Sequence, residues 1–362
     1  MIMHVITNLT ASAGAETMLS RLLRVSPEKQ LLVVSLMSIS DRNRKLANNP
    51  AVEFHALGAT SIYGMARSIL TLARMVRQRR PSAIVCWMYH AMAVGTLAQK
   101  ISGVAIPVFW NVRQSLDDPA SLSASTRIAL KITKLLSGTP AGIVYNSARA
   151  LDLHSDFGFR NANSQVIPNG FDLPLVEHAR PAARVLGIAA RLHPQKDHAT
   201  FFAAAAATLR NHPSARFIAA GANLTPDNFE LRQIIESAGL PMDAVELRGE
   251  VADMGTFYRD IDAIVLSSRT EGFPNVIGEA MSYGRPAVST DVGDAAAIIG
   301  STGFVVPPGD PAALAEAMGR MLTMPEDGYA ALSIAARRRI EQHYSLGRVA
   351  QLYDNFIGRP AA

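Results

Sequence analysis

The sequence predicts an α/β protein with two doubly wound, Rossmann-like parallel-sheet domains that face each other across a cleft. Three observations lead to this prediction. Short apolar runs alternate with longer segments of helical periodicity, which is typical of parallel sheets covered by helices on both faces. A polar connection near residue 170 interrupts this alternation, which then starts again. The chain has 362 residues, 49% of them hydrophobic, which is enough for two domains with sizeable cores.

The first domain is predicted to open with a strand over residues 3–9, a loop of small residues at 10–14 and a helix over 15–24. Apolar runs typical of buried parallel strands recur through this domain, at 31–36, 52–55, 84–87, 107–110 and 142–145. Segments of helical periodicity separate them, at 63–79, 92–102, 123–136 and 148–157. The small-residue loop contains a single glycine, so a standard dinucleotide-binding fingerprint is not supported.

A polar connection rich in proline and glycine, bracketed by Pro168 and Pro181, is expected to be the interdomain hinge. The predicted domains are therefore 1–173 and 174–345. Strands are predicted in the second domain at 185–190, 216–220, 245–248, 263–266, 287–290 and 304–306. Its helices are predicted at 198–210, 229–238, 274–283, 311–322 and 329–344. A last helical segment within 346–362 is expected to pack back on the first domain.

Composition limits the environments in which the chain is expected to work. The single cysteine, Cys86, lies within an apolar run and cannot form an internal disulfide, which is typical of a reducing compartment. The start of the chain lacks a basic segment followed by a long apolar one, as a signal peptide would have. No stretch approaches the roughly 20 apolar residues of a membrane span. We therefore expect a cytoplasmic protein.

The net charge is +5, and positive residues cluster at several places along the chain. The sequence contains no helix-turn-helix, zinc finger or aromatic RNA-binding strand, so no nucleic-acid partner is predicted. The segment 123–136 mixes apolar positions with Arg127, Lys131 and Lys134. It has two interpretations: an ordinary core-facing helix, or an amphipathic helix that lies on an anionic membrane surface.

The stretch from Ser267 to Met281 carries the strongest functional signal. It follows the apolar run 263–266, which is typical of a buried parallel strand, and two carboxylates, Glu271 and Glu279, bracket the start of a predicted helix. Pro274 suits the first helical turn, because its missing N–H has no partner there in any case. Open α/β sheets bind ligands at the carboxyl ends of their strands, and helix starts bind phosphate groups. The stretch therefore predicts a site for a phosphorylated ligand.

Two cations precede a predicted helix of the second domain. Arg191 follows the end of the strand at 185–190, and Lys196 lies just before a helix that Asp197 can cap. Two such cations suit a diphosphate leaving group, whose departing oxygen gains negative charge in the transition state. This segment and the acidic stretch both follow strands of one predicted sheet, so we expect them to contribute to one site.

Residues 187–197 together with 271–279 resemble the retaining glycosyltransferases of family 4, which have the two-domain GT-B fold. Further phrases that support the resemblance lie at 13–16, 145–147, 167–172 and 288–293. The resemblance extends over nearly the whole chain. More narrowly, the chain is similar to the bacterial branch that builds lipopolysaccharide O-antigen, capsule or exopolysaccharide.

The resemblance assigns roles to the residues that match the family's motifs. It places Glu271 beside the donor sugar and Glu279 on the ribose hydroxyls, while Arg191 and Lys196 hold the diphosphate. The remaining donor-binding residues that it implies are Gly14, Gly187, Gly272, Phe273, Pro274, Asn275 and Val276. Because the two cations and a helix start hold the diphosphate charge, the resemblance implies neither a metal ion nor any other cofactor.

The first domain departs from the family pattern at one position. Many members carry a histidine after the strand equivalent to 107–110, close to the transferred sugar, whereas this chain has Asn111 and, two residues later, Arg113. His90 is predicted to end the preceding strand, where it is either a ligand contact or a structural histidine. Asn111 and Arg113 are the other candidates for the missing catalytic role.

The resemblance implies a metal-independent retaining glycosyltransferase that moves a hexose from a UDP-sugar to a lipid-linked glycan. Such an enzyme would be peripherally associated with the inner face of the cytoplasmic membrane. The alternatives are a sugar-nucleotide epimerase or phosphorylase of the same fold, and a non-catalytic subunit that binds nucleotide or membrane. Asp260 and Asp262 match the D-x-D pattern of metal-dependent transferases, but they precede a strand instead of following one. They are therefore interpreted as helix-end and strand-entry residues.

Overall fold

The computed structural model describes residues 1–10, 14–27, 29–175 and 182–358. Three predicted features lie wholly or partly outside the described residues: the small-residue loop at 10–14, Pro181, and residues 359–362 of the terminal segment. The chain divides into two compact units. The first consists of residues 1–170 and 346–362, and the second consists of residues 171–345.

The first unit contains a seven-stranded parallel sheet. Its strands are β1 (Ile2–Ile6), β2 (Leu31–Ser35), β3 (Val52–Ala56), β4 (Ala83–Trp87), β5 (Val108–Val112), β6 (Gly142–Tyr145) and β7 (Ser164–Val166). The strand order β3-β2-β1-β4-β5-β6-β7 grows outward in both directions from β1, as in a doubly wound sheet. Its helices are α1 (Gly14–Arg24), α2 (Asp41–Ala47), α3 (Ile62–Arg79), α4 (Tyr89–Ser102), α5 (Ala124–Leu136), α6 (Ala148–Phe157) and α14 (Leu346–Ile357).

The sequence accounts for these elements locally. β2, β4 and β5 are buried along their whole length, as expected for apolar strands of a sheet that is covered on both faces. Several helices start after a serine whose hydroxyl accepts an N–H of the first turn: Ser40, Ser61, Ser123 and Ser147. Gly103 and Gly158 end α4 and α6 in a left-handed conformation that other residues rarely adopt.

The last helix, α14, packs on the first sheet. Phe356 lies edge-on to Phe109 with 5.6 Å between ring centroids, and Tyr353 stacks on Trp87 at 6.2 Å. A glycine is required at the start of β6, because a Cβ on Gly142 would lie 2.5 Å from Phe356 Cζ. The chain therefore returns to the first unit at residue 346. The boundary between the units lies at 170/171, compared with the predicted 173/174.

The second unit contains a six-stranded parallel sheet in the order β10-β9-β8-β11-β12-β13. These strands are β8 (Val185–Ala189), β9 (Arg216–Ala220), β10 (Val245–Gly249), β11 (Ala263–Leu266), β12 (Ala287–Thr290) and β13 (Gly303–Val306). The helices are α7 (His198–Asn211), α8 (Phe229–Ser237), α9 (Met254–Asp260), α10 (Asn275–Ser282), α11 (Ala295–Ile299), α12 (Pro311–Leu322) and α13 (Glu326–His343). Asp197 caps α7 as predicted, since its carboxylate accepts the N–H of Thr200.

Two doubly wound parallel-sheet units confirm the predicted fold class. The predicted strands and longer helices agree with the structure apart from shifts at their ends. Among the α-helices and strands of the described residues, α2, β7 and α11 are not predicted from the sequence, and of α9 only the end at Asp260 is predicted. Each has seven residues or fewer, which is too short a window for hydrophobic periodicity to identify an element.

Two local predictions about element ends need correction. His90 lies in the first turn of α4 and not at the end of β4, because Met88 takes a φ of 69° and turns the chain directly from strand into helix. Pro274 precedes α10 and does not belong to its first turn, since its ψ of 87° is not helical. Both corrections come from backbone conformations at single residues.

The two aspartates of the D-x-D pattern lie at element ends, as predicted. Asp260 ends α9 and its carboxylate contacts Arg248 Nη1 at 2.7 Å. Asp262 is buried, and its Oδ2 accepts the backbone N–H groups of Arg184 and Val185, each at 2.8 Å. The Asp262 carboxylate therefore joins the start of β8 to the start of β11.

Cys86 is buried in β4, and burial raises the pKa of its thiol. A Cβ on Gly95 of α4 would lie 2.3 Å from the Cys86 sulfur. The thiol therefore packs directly against the backbone of α4. Cys86 thus has a structural role in the packing of α4 on β4. Throughout the described part of the chain, no helix combines the length and the hydropathy that a bilayer-spanning segment needs.

Candidate functional site

The strongest sequence signals meet at one edge of the second sheet. β11 pairs in parallel with both β8 and β12, so the carboxyl ends of these three strands lie side by side. The loop after β8 carries Arg191 and Lys196, the loop after β11 carries Glu271, and the loop after β12 carries Gly293. Parallel pairing thus brings together motifs that are far apart in the sequence.

Hydrogen bonds fix the loops after β8 and β11 to each other. The side-chain amide of Gln195 donates to the Thr270 carbonyl at 2.8 Å, and the Arg269 N–H donates to the Gln195 carbonyl at 2.8 Å. Ser267 Oγ donates to the carbonyl oxygen of Lys196 at 2.9 Å. These cross-links hold both loops in one conformation, which positions the side chains that a binding site needs.

The loop after β12 approaches the same segment closely. Thr290 Oγ1 donates to the Ser268 carbonyl at 2.7 Å, and Gly293 has a φ of 54°. A Cβ on Gly293 would lie 2.6 Å from the Glu271 carbonyl oxygen and 2.7 Å from that of Gly272. Glycine is therefore required at position 293 both by its conformation and by the neighbouring backbone.

Lys196 and Glu271 form an ion pair between the first two loops, in which Lys196 Nζ contacts Glu271 Oε1. Ser268 Oγ donates to the same oxygen at 2.7 Å. Glu271 is only 8% exposed, so its carboxylate depends on these partners in place of water. The pair places a cation next to the carboxylate that the family resemblance assigns to the donor sugar.

Glu279 lies half-buried on α10, and its Oε2 accepts a hydrogen bond of 2.7 Å from the Tyr258 hydroxyl. Tyr258 belongs to α9, of which the sequence predicts only the end at Asp260. No sequence signal points to it, because a tyrosine in a short helix is usually a packing residue. Ser268 is also absent from the predicted site residues, although it lies within the phrase that carries Glu271.

The other residues predicted near the diphosphate differ in exposure. Arg191 is exposed directly after β8. Asn275 and Val276 begin α10, and the preceding Pro274 offers no side-chain acceptor to the first N–H groups of this helix. Phe273 is buried and stacks on Phe171 with 6.2 Å between ring centroids. The phenyl ring of Phe273 therefore packs the loop against the core of its unit.

Two predicted glycines have other surroundings. Gly187 lies inside β8, where a Cβ would meet Ile261 Cγ2 at 2.4 Å and Phe257 Cζ at 2.8 Å. Close packing of α9 on the strand is thus one reason for this glycine, and its assignment to the donor stays a prediction. Gly14 begins α1, and the loop residues before it lie outside the described part of the chain.

Asn111 and Arg113 lie inside the first unit. Asn111 has no exposed surface, and its Nδ2 donates to the Tyr353 hydroxyl at 2.8 Å. Arg113 is 9% exposed; its Nη1 donates to Asn169 Oδ1 at 2.8 Å, and its guanidinium lies 5.4 Å from the Trp87 ring centroid and 5.5 Å from that of Tyr353. Both side chains therefore contact Tyr353 of α14 within the first unit, and the expectation that one of them touches the sugar stays a prediction.

His90 is half-buried in the first turn of α4. Burial lowers the pKa of its imidazole, and a hydrogen bond with the backbone of Ser125 partly offsets this effect. The lowered pKa favours the neutral imidazole, which has one hydrogen-bond donor nitrogen and one acceptor nitrogen. His90 therefore retains the chemistry required for either of its two interpretations.

The described residues contain no group of three or more histidine, cysteine or acidic side chains that could hold a metal ion. The predicted site instead offers Arg191, Lys196 and the start of α10 to an anionic ligand. Arg191 and the start of α10 suit the negative charge of a diphosphate, and Lys196 is shared with the Glu271 carboxylate.

Family models match both parts of the chain. Residues 32–170 match a model described as a glycosyl transferase 4-like domain, and residues 183–324 match one described as glycosyl transferases group 1. The two matches follow the two structural units and together cover more than half of the sequence.

Two relatives are described as enzymes of lipopolysaccharide core biosynthesis. The chain is 26% identical over 317 residues to the lipopolysaccharide core biosynthesis mannosyltransferase LpcC of Rhizobium leguminosarum bv. viciae, covering 81% of this chain and 83% of that protein. It is 33% identical over 144 residues to the lipopolysaccharide core biosynthesis mannosyltransferase LpsB of Rhizobium meliloti (strain 1021), covering 38% of this chain and 41% of that protein.

A solved structure shares the fold. Anabaena Alr3699/HepE in complex with UDP and glucose matches with a TM-score of 0.81 and 21% sequence identity, over 99% of both chains. This likeness supports the GT-B fold that the resemblance implies. Together with the family models and the relatives, it leads to one assignment: the chain belongs to glycosyltransferase family 4, in the branch that takes part in lipopolysaccharide and polysaccharide biosynthesis.

Proposed function

We propose that this glycosyltransferase moves a hexose from a UDP-sugar to a lipid-linked glycan, with retention of anomeric configuration and without a metal ion. The observation that carries the proposal is the Lys196–Glu271 pair at the carboxyl edge of the second sheet, next to the start of α10. The cation and the helix start provide positive charge for the phosphates of a sugar diphosphate. The shielded carboxylate provides hydrogen-bond acceptor oxygens for the hydroxyl groups of the sugar.

The proposed reaction breaks the bond between the anomeric carbon and the β-phosphate oxygen. The acceptor hydroxyl forms the new bond to the same face of the sugar, and the departing phosphate oxygen takes the hydroxyl proton. Arg191 and Lys196 stabilise the negative charge that develops on the diphosphate, and Glu271 positions the sugar. Because these cations lie on the departing group, the proposal needs no metal to neutralise it.

The comparisons support the donor and the hexose. Alr3699/HepE has been solved with UDP and with UDP-glucose, and this chain shares its fold. LpcC and LpsB are mannosyltransferases, and mannose is a hexose. A nucleotide diphosphate sugar fits the charge of the site, and Glu279 offers the acceptor oxygens that a ribose diol requires.

The test is calorimetric binding of UDP-, GDP- and dTDP-sugars in the presence of EDTA, on the wild type and on Glu279→Ala. We expect one UDP-sugar to bind selectively and the substitution to weaken it by about tenfold or more, because two hydrogen bonds to a carboxylate are lost. A folded wild type that binds no nucleotide would favour a non-catalytic subunit. Binding that requires added metal would contradict the metal-independent reaction. Retention is tested separately by the anomeric configuration of the product, and an inverted product from an α-linked donor would contradict it.

The proposed acceptor is lipid-linked, and three helices of the first unit fit an anionic membrane surface. α4 packs against both α3 and α5, and these three helices contain no aspartate or glutamate. Their cations are Arg67, Arg74, Arg77, Arg79, Lys100, Arg127, Lys131 and Lys134. On α5, Ile128, Ile132 and Leu135 are exposed at helical spacing beside these cations. An exposed apolar stripe flanked by positive charge is typical of an interfacial helix.

The membrane proposal is tested with vesicles that contain phosphatidylglycerol. Lys131→Glu combined with Lys134→Glu is expected to reduce co-sedimentation by more than about tenfold, because each cation near an anionic surface contributes about 1 kcal/mol. The matched control is Arg210→Glu with Arg232→Glu, two exposed cations of α7 and α8. Equal losses for both pairs, or equal binding of the wild type to pure phosphatidylcholine, would contradict a docking role for α5.

A further inference from the structure

Tyr258 is a hydrogen-bond partner of the Glu279 carboxylate. Its hydroxyl donates to Glu279 Oε2 at 2.7 Å, and the residue is 2% exposed. The backbone that carries the ring is also fixed, because Arg285 Nε donates to the Tyr258 carbonyl at 2.9 Å and Arg285 is itself buried. Tyr258 thus reaches from α9 to α10 with little freedom to move.

A second aromatic ring supports this arrangement. Tyr283 follows α10 directly, and its ring centroid lies 5.4 Å from that of Tyr258. Gly255 of α9 allows the close approach, since a Cβ there would lie 2.6 Å from the Tyr283 hydroxyl oxygen. The two rings fill the space between α9 and α10, so the direction of the Tyr258 hydroxyl is set by packing.

We propose that Tyr258 is a positioning residue that orients the Glu279 carboxylate toward a ribose diol and thereby sets the preference for ribonucleotides over 2′-deoxyribonucleotides. This inference rests on the proposed function, in which Glu279 binds the nucleotide ribose. Tyr258 does not contact the ligand in this scheme; it acts through Glu279.

The chemistry of a carboxylate explains the effect. A carboxylate accepts hydrogen bonds at about four lone-pair positions, so it can accept from the Tyr258 hydroxyl and also from two ribose hydroxyls. A glutamate side chain on a helix surface otherwise exchanges between rotamers, and it loses that freedom when it binds. With the carboxylate already oriented, both ribose hydroxyls are bound together, and a sugar that lacks the 2′-hydroxyl loses one of the two hydrogen bonds.

The experiment measures UDP and 2′-deoxy-UDP binding by calorimetry for the wild type and for Tyr258→Phe. We expect Tyr258→Phe to weaken UDP binding by about tenfold and 2′-deoxy-UDP binding by less than about threefold, so that the discrimination between them falls. The matched control is Tyr329→Phe. Tyr329 is a buried tyrosine of the same unit whose hydroxyl donates to the Asp262 carbonyl at 2.7 Å, outside the candidate site.

The control separates positioning from general destabilisation. Tyr329→Phe is expected to lower the melting temperature as Tyr258→Phe does and to leave the UDP to 2′-deoxy-UDP ratio unchanged. In a Glu279→Gln background, Tyr258→Phe is expected to have little further effect on UDP binding, because the two residues act as one unit. An unchanged ratio in Tyr258→Phe, or additive losses with Glu279→Gln, would overturn this inference. A wild type that binds neither nucleotide would instead overturn the proposed function.

Discussion

Glu271→Gln is expected to lower the rate of sugar transfer by about 10²–10³-fold, the range found when a single group that stabilises a transition state is removed. The substitution keeps the side-chain shape and an oxygen that Ser268 and Lys196 can contact, but it removes the negative charge beside the reacting sugar. UDP carries no sugar for Glu271 to contact. The affinity of Glu271→Gln for UDP is therefore expected to differ from that of the wild type by less than about threefold, because the lost interaction acts mainly in the transition state.

Lys196→Met is expected to give a different pattern, because the proposed partner of this cation is the diphosphate. Both UDP affinity and transfer rate should fall, each by about tenfold or more, since charge-assisted hydrogen bonds are lost. The variant also leaves the shielded Glu271 carboxylate without its cation, so the melting temperature should fall. Combining Lys196→Met with Glu271→Gln is expected to restore the melting temperature but not the rate, because neither charge remains.

These variants are compared by three measurements: UDP release from the donor in the presence of a lipid-linked saccharide, UDP affinity by calorimetry, and thermal unfolding. Glu316→Gln, an exposed glutamate of α12, is the matched control and should behave as the wild type. If Glu271→Gln lowers UDP affinity as strongly as it lowers the rate, Glu271 acts in nucleotide binding and its assignment to the sugar is wrong.

Gly293→Ala is expected to reduce UDP affinity by at least about tenfold through a change in the backbone of the site. The φ of 54° at this position costs a non-glycine residue about 1–2 kcal/mol. In addition, the new Cβ would collide with the carbonyl oxygens of Glu271 and Gly272 at 2.6 and 2.7 Å, so these residues must shift. The shift moves Glu271 away from Lys196 and displaces the start of α10.

Gly309→Ala separates backbone strain from displacement of the site. Gly309 has a φ of 73°, and no atom lies within 4 Å of a Cβ placed there. Both variants should therefore lose stability in thermal unfolding, but only Gly293→Ala should lose UDP affinity in calorimetry. Equal UDP affinity for the two variants would show that the 271–272 segment tolerates the collision and that Gly293 has no specific role in the site.

The sequence by itself determined the fold class and most of the elements. Apolar runs such as 263–266 became buried strands at the predicted positions, because a strand covered on both faces needs a continuous apolar run. Asp197 capped its helix as predicted, since a cap depends only on residues within one turn. The sequence also located the segments after β8 and β11, where cations and carboxylates follow strands.

The tertiary structure decided which side chains work together. The Lys196–Glu271 pair depends on β8 and β11 being neighbours, and the Tyr258–Glu279 contact depends on how α9 packs against α10. It also placed Asn111 against Tyr353 of α14, a helix at the other end of the chain. The physical reason is that periodicity and capping reflect a residue's own element, whereas its partners in other elements are set by strand order and helix packing, which local sequence patterns do not specify.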